Sequence, residues 1–170
     1  MNANDPTEEF LKGYELYNDA IFRYCYFQTS NREVALDLTQ DTFTKVWEYI
    51  AGGKIVENLR AFLYRVAGNL IIDWRRKKKA SSLDAMIEDG YDKEISGRRE
   101  IEESIDSKEV LAIVGALDEK YRDVLVMRYV EDLSIKEIAA ATGASENNIS
   151  VRLHRALEKA RSIGAEKYND

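Results

Sequence analysis

Two helix starts and a helix stop are written close together near the end of this chain, and few folds accommodate that punctuation. Ser134 and Glu137 stand at the Ser-x-x-Glu spacing in which each side chain hydrogen-bonds the other's backbone N–H. Leu133 and Ile138 occupy the positions whose apolar side chains staple the chain across such a cap. Thr142-Gly143 follows, glycine supplying the left-handed turn that ends a helix. Ser145 is placed to cap a second helix, whose inner face reads Ile149, Leu153, Leu157 and Ala160. A short helix joined by a glycine turn to a second one spells a helix-turn-helix. The second helix carries Asn147, Asn148, Ser150, Arg152, His154 and Arg155 toward solvent or near its edge, a set able to bond base edges and phosphates in a major groove.

The rest of the chain is equally helical in character. Pro6 is the one proline, and nine scattered glycines leave long stretches rich in Ala, Leu, Glu, Lys and Arg without alternating Val, Thr and Ile. A first helix is expected over Thr7 to Phe27, with Tyr14, Tyr17, Ile21, Phe22, Tyr24 and Phe27 recurring as a buried stripe would. Ser30 and Glu33 form a capping box for a second helix, traced by Val34, Leu38, Phe43, Val46, Trp47 and Ile50 and ended by Gly52-Gly53. Gly52-Gly53-Lys54 lacks the upstream glycine and the following Ser or Thr of a phosphate-binding loop, so it reads as a helix stop. A third helix begins near Asn58. Its apolar face holds Leu59, Phe62, Leu63, Val66, Leu70 and Trp74, leaving Arg60, Arg65, Asn69, Arg75 and Arg76 off it ahead of Lys77-Lys78-Lys79. Trp74 reads as core; Tyr64 suits either the core or a stacked base.

From Ala80 to Ser107 the sequence turns acidic and aperiodic, as a linker with room for one short helical piece. Beyond it, a helix is expected over Lys108 to Leu117 and another opened by Asp118 as N-cap. The fold class is therefore all-α: two small helical domains, 1–79 and 108–170, joined by an acidic linker at 80–107, the second containing the helix-turn-helix.

Charge by segment says more than the total. The 170 residues carry a net −6, yet residues 60–79 hold seven bases against one acid. An acidic surface repels phosphates over about a Debye length, ~8 to 10 Å at physiological salt, so such a chain binds DNA poorly alone and needs a larger partner. Cys25 has no second cysteine to pair with, and Asp5, Glu8 and Glu9 do not give the basic-then-apolar order of a signal peptide. No apolar run approaches the ~20 residues that span a bilayer. The cytoplasm is the expected address, without membrane insertion. His154 is the one histidine, so a metal site or histidine-based triad has little material, and no cofactor is expected.

Taken together, these segments resemble the extracytoplasmic function group of bacterial sigma factors, the compact members that keep regions 2 and 4. Asp37-Leu38-Thr39-Gln40-Asp41-Thr42-Phe43 with Val46-Trp47 looks like the region 2 helix that docks on core RNA polymerase. The resemblance thus implies polymerase binding through Asp37, Gln40, Asp41, Phe43 and Trp47. Asn58 to Ala67, with Asn69 and Ile72-Asp73-Trp74-Arg75-Arg76, is similar to the helix that opens and captures the downstream promoter element. It implies promoter DNA contacts from Arg60, Tyr64, Arg65, Asn69, Arg75, Arg76 and Lys77. Leu117 to Val130, then Leu133 to Ala139 and Val151 to Ala156, looks like region 4, which reads the upstream element. Three positions depart from the pattern: Asp118 where proline is frequent, Gly68 where a larger residue is usual, and Ser150-Val151 where Lys or Arg then Ser is common. Members of the group are commonly restrained by an anti-sigma protein, and they are not enzymes. The residues leave other readings open: a stand-alone helix-turn-helix repressor, a carboxylate-metal nuclease using Asp37 and Asp41, or a helical adaptor that binds only protein.

Overall fold

A computed structural model describes residues 5–85 and 105–168, and these form seven helices with no strand among them. The first four residues and 86–104, where most of the expected linker and its short helical piece fall, lie outside the described residues.

Helix α1 spans Pro6–Thr29, opened by Asp5, whose carboxylate accepts from the Thr7 N–H at 3.0 Å, with proline at the first helical position where no N–H is needed. Its buried line is Ile21, Tyr24, Cys25 and Gln28, whereas Tyr14 is 44% exposed, so the expected aromatic stripe is only partly core. Helix α2 spans Arg32–Ala51. Its cap is Asn31, whose side chain accepts from Val34 N–H at 3.1 Å, and not the expected Ser30-Glu33 box. Ser30 instead takes the left-handed conformation (φ 53°) that closes α1, donating its N–H to the Tyr26 carbonyl at 2.8 Å. Asparagine caps as well as serine does, and shifting the start by one residue lets one tight turn serve both helices.

Helix α3 spans Leu59–Ala85, with the Asn58 side chain accepting from Ala61 N–H at 2.9 Å. The basic run Arg75 to Lys79 therefore lies within a continuing helix and not at its end. The buried line of α3 is Leu63, Tyr64, Ala67, Ile71 and Arg75, rotated from the expected face, and Leu59, Phe62, Val66, Leu70 and Trp74 are only partly buried. Tyr64 is core, and so is the arginine expected outside it. Gly13 lets α1 approach the start of α3: a Cβ there would stand 2.3 Å from Leu59 Cδ2.

Helix α4 spans Ile105–Ala116, and α5 spans Glu119–Leu125 and continues as a π turn through Val126–Val130. Asp118 occupies the N-cap position, but its side chain makes no capping bond; its carbonyl accepts from the Tyr121 and Arg122 N–H groups at 3.0 and 2.9 Å. Arg122 closes the corner instead, donating to the carbonyls of Val114, Gly115 and Leu117 at 3.1, 3.0 and 2.9 Å and so satisfying the last turn of α4. Helix α6, Ile135–Thr142, begins with the full Ser134-Glu137 capping box and ends at Gly143 (φ 74°). Helix α7, Glu146–Tyr168, begins where Ser145 Oγ accepts from Asn148 N–H at 3.1 Å.

Helices α1 to α3 pack around Ile21, Tyr24, Val46, Leu63 and Ile71, and α5 to α7 around Val124, Val126, Leu133, Ile138, Ile149 and Ala156. Each Val, Leu or Ile among them contributes roughly 1.5–3 kcal/mol by leaving water. The two sets touch, α6 lying along α3 and α1 meeting the α5 end. No helix among the described residues is long and apolar enough to cross a membrane.

Candidate nucleic-acid interface and polymerase-docking face

On α2 the sequence separates an inner from an outer face cleanly. Thr39 and Thr42 are buried but each donates its hydroxyl back to the helix, to Ala35 O and Leu38 O at 2.6 Å, so the inner face stays satisfied without a partner. Phe43, 4% exposed, packs edge-on against Phe10 and Tyr14, and Trp47 leans on Phe10 with centroids 5.1 Å apart. Phe43 thus fixes α2 on α1 and offers no surface to a partner, and Trp47 is half-buried beside it. Asp37, Gln40 and Asp41 are exposed, with Leu36 beside them. Asp37 and Asp41 would need further ligands to hold a cation, and among the described residues no group of three or more His, Cys, Asp or Glu side chains is placed to do so.

The downstream set on α3 divides. Arg65, Asn69, Arg76 and Lys77 face solvent, Arg76 bonding Asp73 one turn back. Asn69 borders an open groove of about 510 Å³ lined by Lys45, Tyr49, Lys54 and Phe62, where the Tyr49 and Phe62 rings lie 4.8 Å apart and Lys54 sits 4.7 Å from the centre of the Tyr49 ring. Tyr49, Lys54 and Phe62 were not expected to share a surface with Asn69. A cation and two rings on neighbouring elements leave no local spacing signal, because the α2–α3 turn brings them together.

Arg60, Tyr64 and Arg75 are engaged inside the molecule. Tyr64 packs edge-on against Tyr24 at 5.2 Å and donates its hydroxyl to Glu131 Oε2 at 2.9 Å. Burial and the neighbouring Glu131 carboxylate hold the Tyr64 phenol above its ordinary pKa, so it remains a donor. Arg60 donates to the Glu131 carbonyl and lies 3.5 Å from Glu137. Arg75 donates to Gln28 Oε1 at 2.5 Å and faces Glu119 and Asp123 at 3.6 and 3.7 Å. Burial pushes the Asp123 carboxyl up to about 6 despite the opposing pull of Arg75 and Arg122.

The upstream set on α7 stands together. Ile149, Leu153 and Ala156 are buried against α5 and α6, which turns Asn147, Asn148, Ser150, His154 and Arg155 outward, with Arg152 half-exposed at their edge. Arg152 donates to Asn148 Oδ1 at 2.9 Å, His154 lies 3.3 Å from Glu158, and Ser150 donates to the Glu146 carbonyl at 3.1 Å. These bonds lie within one helix, so donors and acceptors can exchange to a groove without disturbing the core.

Residues 14–81 match the family model for sigma-70 region 2, and residues 107–159 match that for sigma-70 region 4. The chain is 31% identical to the ECF RNA polymerase sigma factor SigW of Bacillus subtilis, over 86% of this chain and 84% of that protein. It is 28% identical to the RNA polymerase sigma factor YlaC of the same organism, over 92% and 90%. The fold is similar to that of the sigma factor RpoE in complex with the anti-sigma factor NepR from Bartonella quintana, with TM-score 0.76 at 21% identity over 91% and 96% of the two chains. It is also similar to CnrH in complex with the cytosolic domain of CnrY, with TM-score 0.70 at 21% identity over 94% and 90%. Two sigma-70 regions in this order, together with a relative 31% identical over most of both chains, identify the chain as a member of the extracytoplasmic function sigma factors, which are not enzymes but bind core RNA polymerase and direct it to promoter DNA to begin transcription.

Proposed function

We propose that three faces divide this work. Residues 1–79 carry polymerase docking and the downstream element, 80–107 connect, and 108–170 read the upstream element. On α2 the contacts to polymerase come from Asp37, Gln40 and Asp41, while Phe43 and Trp47 act by holding that helix in place. On α3 the solvent-facing Arg65, Asn69, Arg76 and Lys77 meet DNA first, and Arg60, Tyr64 and Arg75 join when their internal partners release them. The rings of Tyr49 and Phe62 beside Asn69 suit an unstacked base, a contact worth about 1–3 kcal/mol.

The observation that carries the reading is the outward face of α7. Asn147, Asn148, Ser150, Arg152, His154 and Arg155 project from a helix whose opposite side packs on the core through Ile149, Leu153 and Ala156, on a unit capped at both helix starts. A helix so mounted enters a major groove as a rigid body, and each good base contact is worth roughly 1–3 kcal/mol of discrimination. Ser150 brings no cation to this face, so Arg152, Arg155 and the amides of Asn147 and Asn148 set its preference. The site of action is the cytoplasm, where polymerase and DNA meet. An anti-sigma protein is the restraining partner, by likeness to the complexes of RpoE with NepR and of CnrH with CnrY.

Run-off transcription with purified bacterial core polymerase on a fragmented genomic library tests the division. Asp37→Arg with Gln40→Ala abolishes specific transcripts through lost polymerase binding. Arg152→Ala with Arg155→Ala leaves polymerase binding intact and removes upstream recognition. A wild-type chain that neither binds core nor directs a start site, yet binds a palindromic DNA alone, would replace this reading with that of a repressor.

A further inference from the structure

Glu131 sits at the end of the π turn that finishes α5, and it is a carboxylate taken almost wholly out of water: its side chain is 1% exposed. A buried charge persists only where opposite charge and hydrogen bonds compensate its lost hydration. Every side chain described around that carboxylate as a bonding partner belongs to the other domain. Arg23 of α1 approaches it with two parallel bonds, Nε to Oε1 and Nη2 to Oε2, both 2.8 Å, the fork geometry that makes Arg–carboxylate pairs strong. Tyr64 of α3 donates to Oε2 at 2.9 Å, and Arg60, one turn earlier on α3, donates to the Glu131 carbonyl and reaches Glu137 of α6. A second cluster lies along the same boundary, where Arg75 of α3 meets Glu119 and Asp123 of α5.

The geometry points to a built-in latch: Glu131 holds the second domain against the first in a closed state that covers Arg60, Tyr64 and Arg75, part of the surface by which α3 would meet DNA. The inference rests on the downstream assignment made above. The latch is asymmetric. It ties up three groups on α3 and leaves the groove-reading face of α7 open, so the closed chain withholds the strand-capturing step. It is also polar, which makes it releasable: Arg23 is 44% exposed and regains water on opening, and Tyr64 and Arg60 can trade Glu131 for phosphate and base partners of the same chemistry. A partner that binds the first domain and offers α3 contacts of its own would then supply the opening.

The test uses the full chain with Lys12→Cys on α1 and Arg161→Cys on α7 spin-labelled, both positions being exposed, and double electron–electron resonance to read the separation of the domains. Glu131→Gln keeps the shape and removes the charge; Arg23→Ala breaks the same contact from the first domain and guards against a local fault in the second. In parallel, binding of a fluorescein-labelled fifteen-residue oligo-dT (about 15 nucleotides, within the span single-strand grooves cover) is measured without polymerase. Each variant should lengthen and broaden the distance distribution. Where the open state is a tenth of the population or less, oligonucleotide affinity should rise about tenfold. Unchanged distances in both variants, with helicity by circular dichroism intact, would overturn the latch. Distances that lengthen without a gain in oligonucleotide binding would overturn the masking. The downstream assignment is checked separately in the same chain: if Arg65→Ala with Asn69→Ala leaves transcription with core polymerase unchanged, it is that assignment which falls.

Discussion

Helices α3 and α7 each present a polar face for DNA, but they are mounted differently. The α7 face is backed by a small helix-turn-helix core and points outward as a set. The α3 face belongs to a longer helix packed on both sides, by α1 and α2 and again by α6, and three of its seven candidate residues are already bonded across the domain boundary. A helix on the margin of a domain can dedicate one face to a ligand. A helix between two domains shares its polar groups with whichever neighbour is present, and its availability depends on conformation.

The contrast is most exposed to a comparison of two double variants in the same transcription assay. Arg152→Ala with Arg155→Ala should lower promoter-specific initiation by on the order of a hundredfold, with the full loss already present in promoter binding. Arg65→Ala with Asn69→Ala should cost about tenfold and act at strand opening, since only two of the four exposed α3 candidates are removed. Equal losses at the same step would erase the distinction between the two faces.

A smaller effect sharpens the boundary itself. Burial raises the Asp123 carboxyl to about 6, above its value in an unfolded chain. The folded state therefore binds more protons between roughly pH 4 and 6, and the stability this group contributes is present below that window and lost as pH rises through it. Asp123→Asn should raise neutral-pH stability by about 1–2 kcal/mol and flatten that slope in thermal melts between pH 4 and 7. Unchanged slope would mean the carboxyl is not desolvated by the boundary. The smallest effect concerns Gly68 of α3, where a Cβ would meet the Tyr24 hydroxyl at 3.7 Å, an ordinary contact. Gly68→Ala should therefore gain about 0.5–1 kcal/mol in chemical denaturation.

The same division decides what could be read from the sequence. The Ser134-Glu137 box, the Gly143 stop and the α7 inner face were legible because caps and turns act between residues a few positions apart. The family resemblance was legible in those motifs and in Asp37 to Trp47. What escaped was set by distant partners. Periodicity placed the α3 apolar face on Leu59, Phe62, Leu63, Val66, Leu70 and Trp74; Leu63 is buried as expected, but the others are only partly so, and packing from both sides buries Tyr64 and Arg75 as well. Asp118 stands at the N-cap of α5 as its type and position suggest but makes no side-chain bond there, and the closing of the α4 terminus by the guanidinium of Arg122, from within the next helix, left no local signal. The Ser30 box lost to Asn31 by one residue, a competition between two good caps that spacing alone does not resolve.

Cys25 lies wholly inside α1's packing, and burial pushes its thiol up to about 12. As a protonated sulfur without solvent access it is a poor nucleophile toward maleimides and disulfide reagents. Surface cysteines introduced elsewhere can therefore be derivatised while the native one stays silent. Conversely, the rate at which Cys25 itself becomes modified measures how often the first domain opens, giving a clock for local unfolding that needs no added probe.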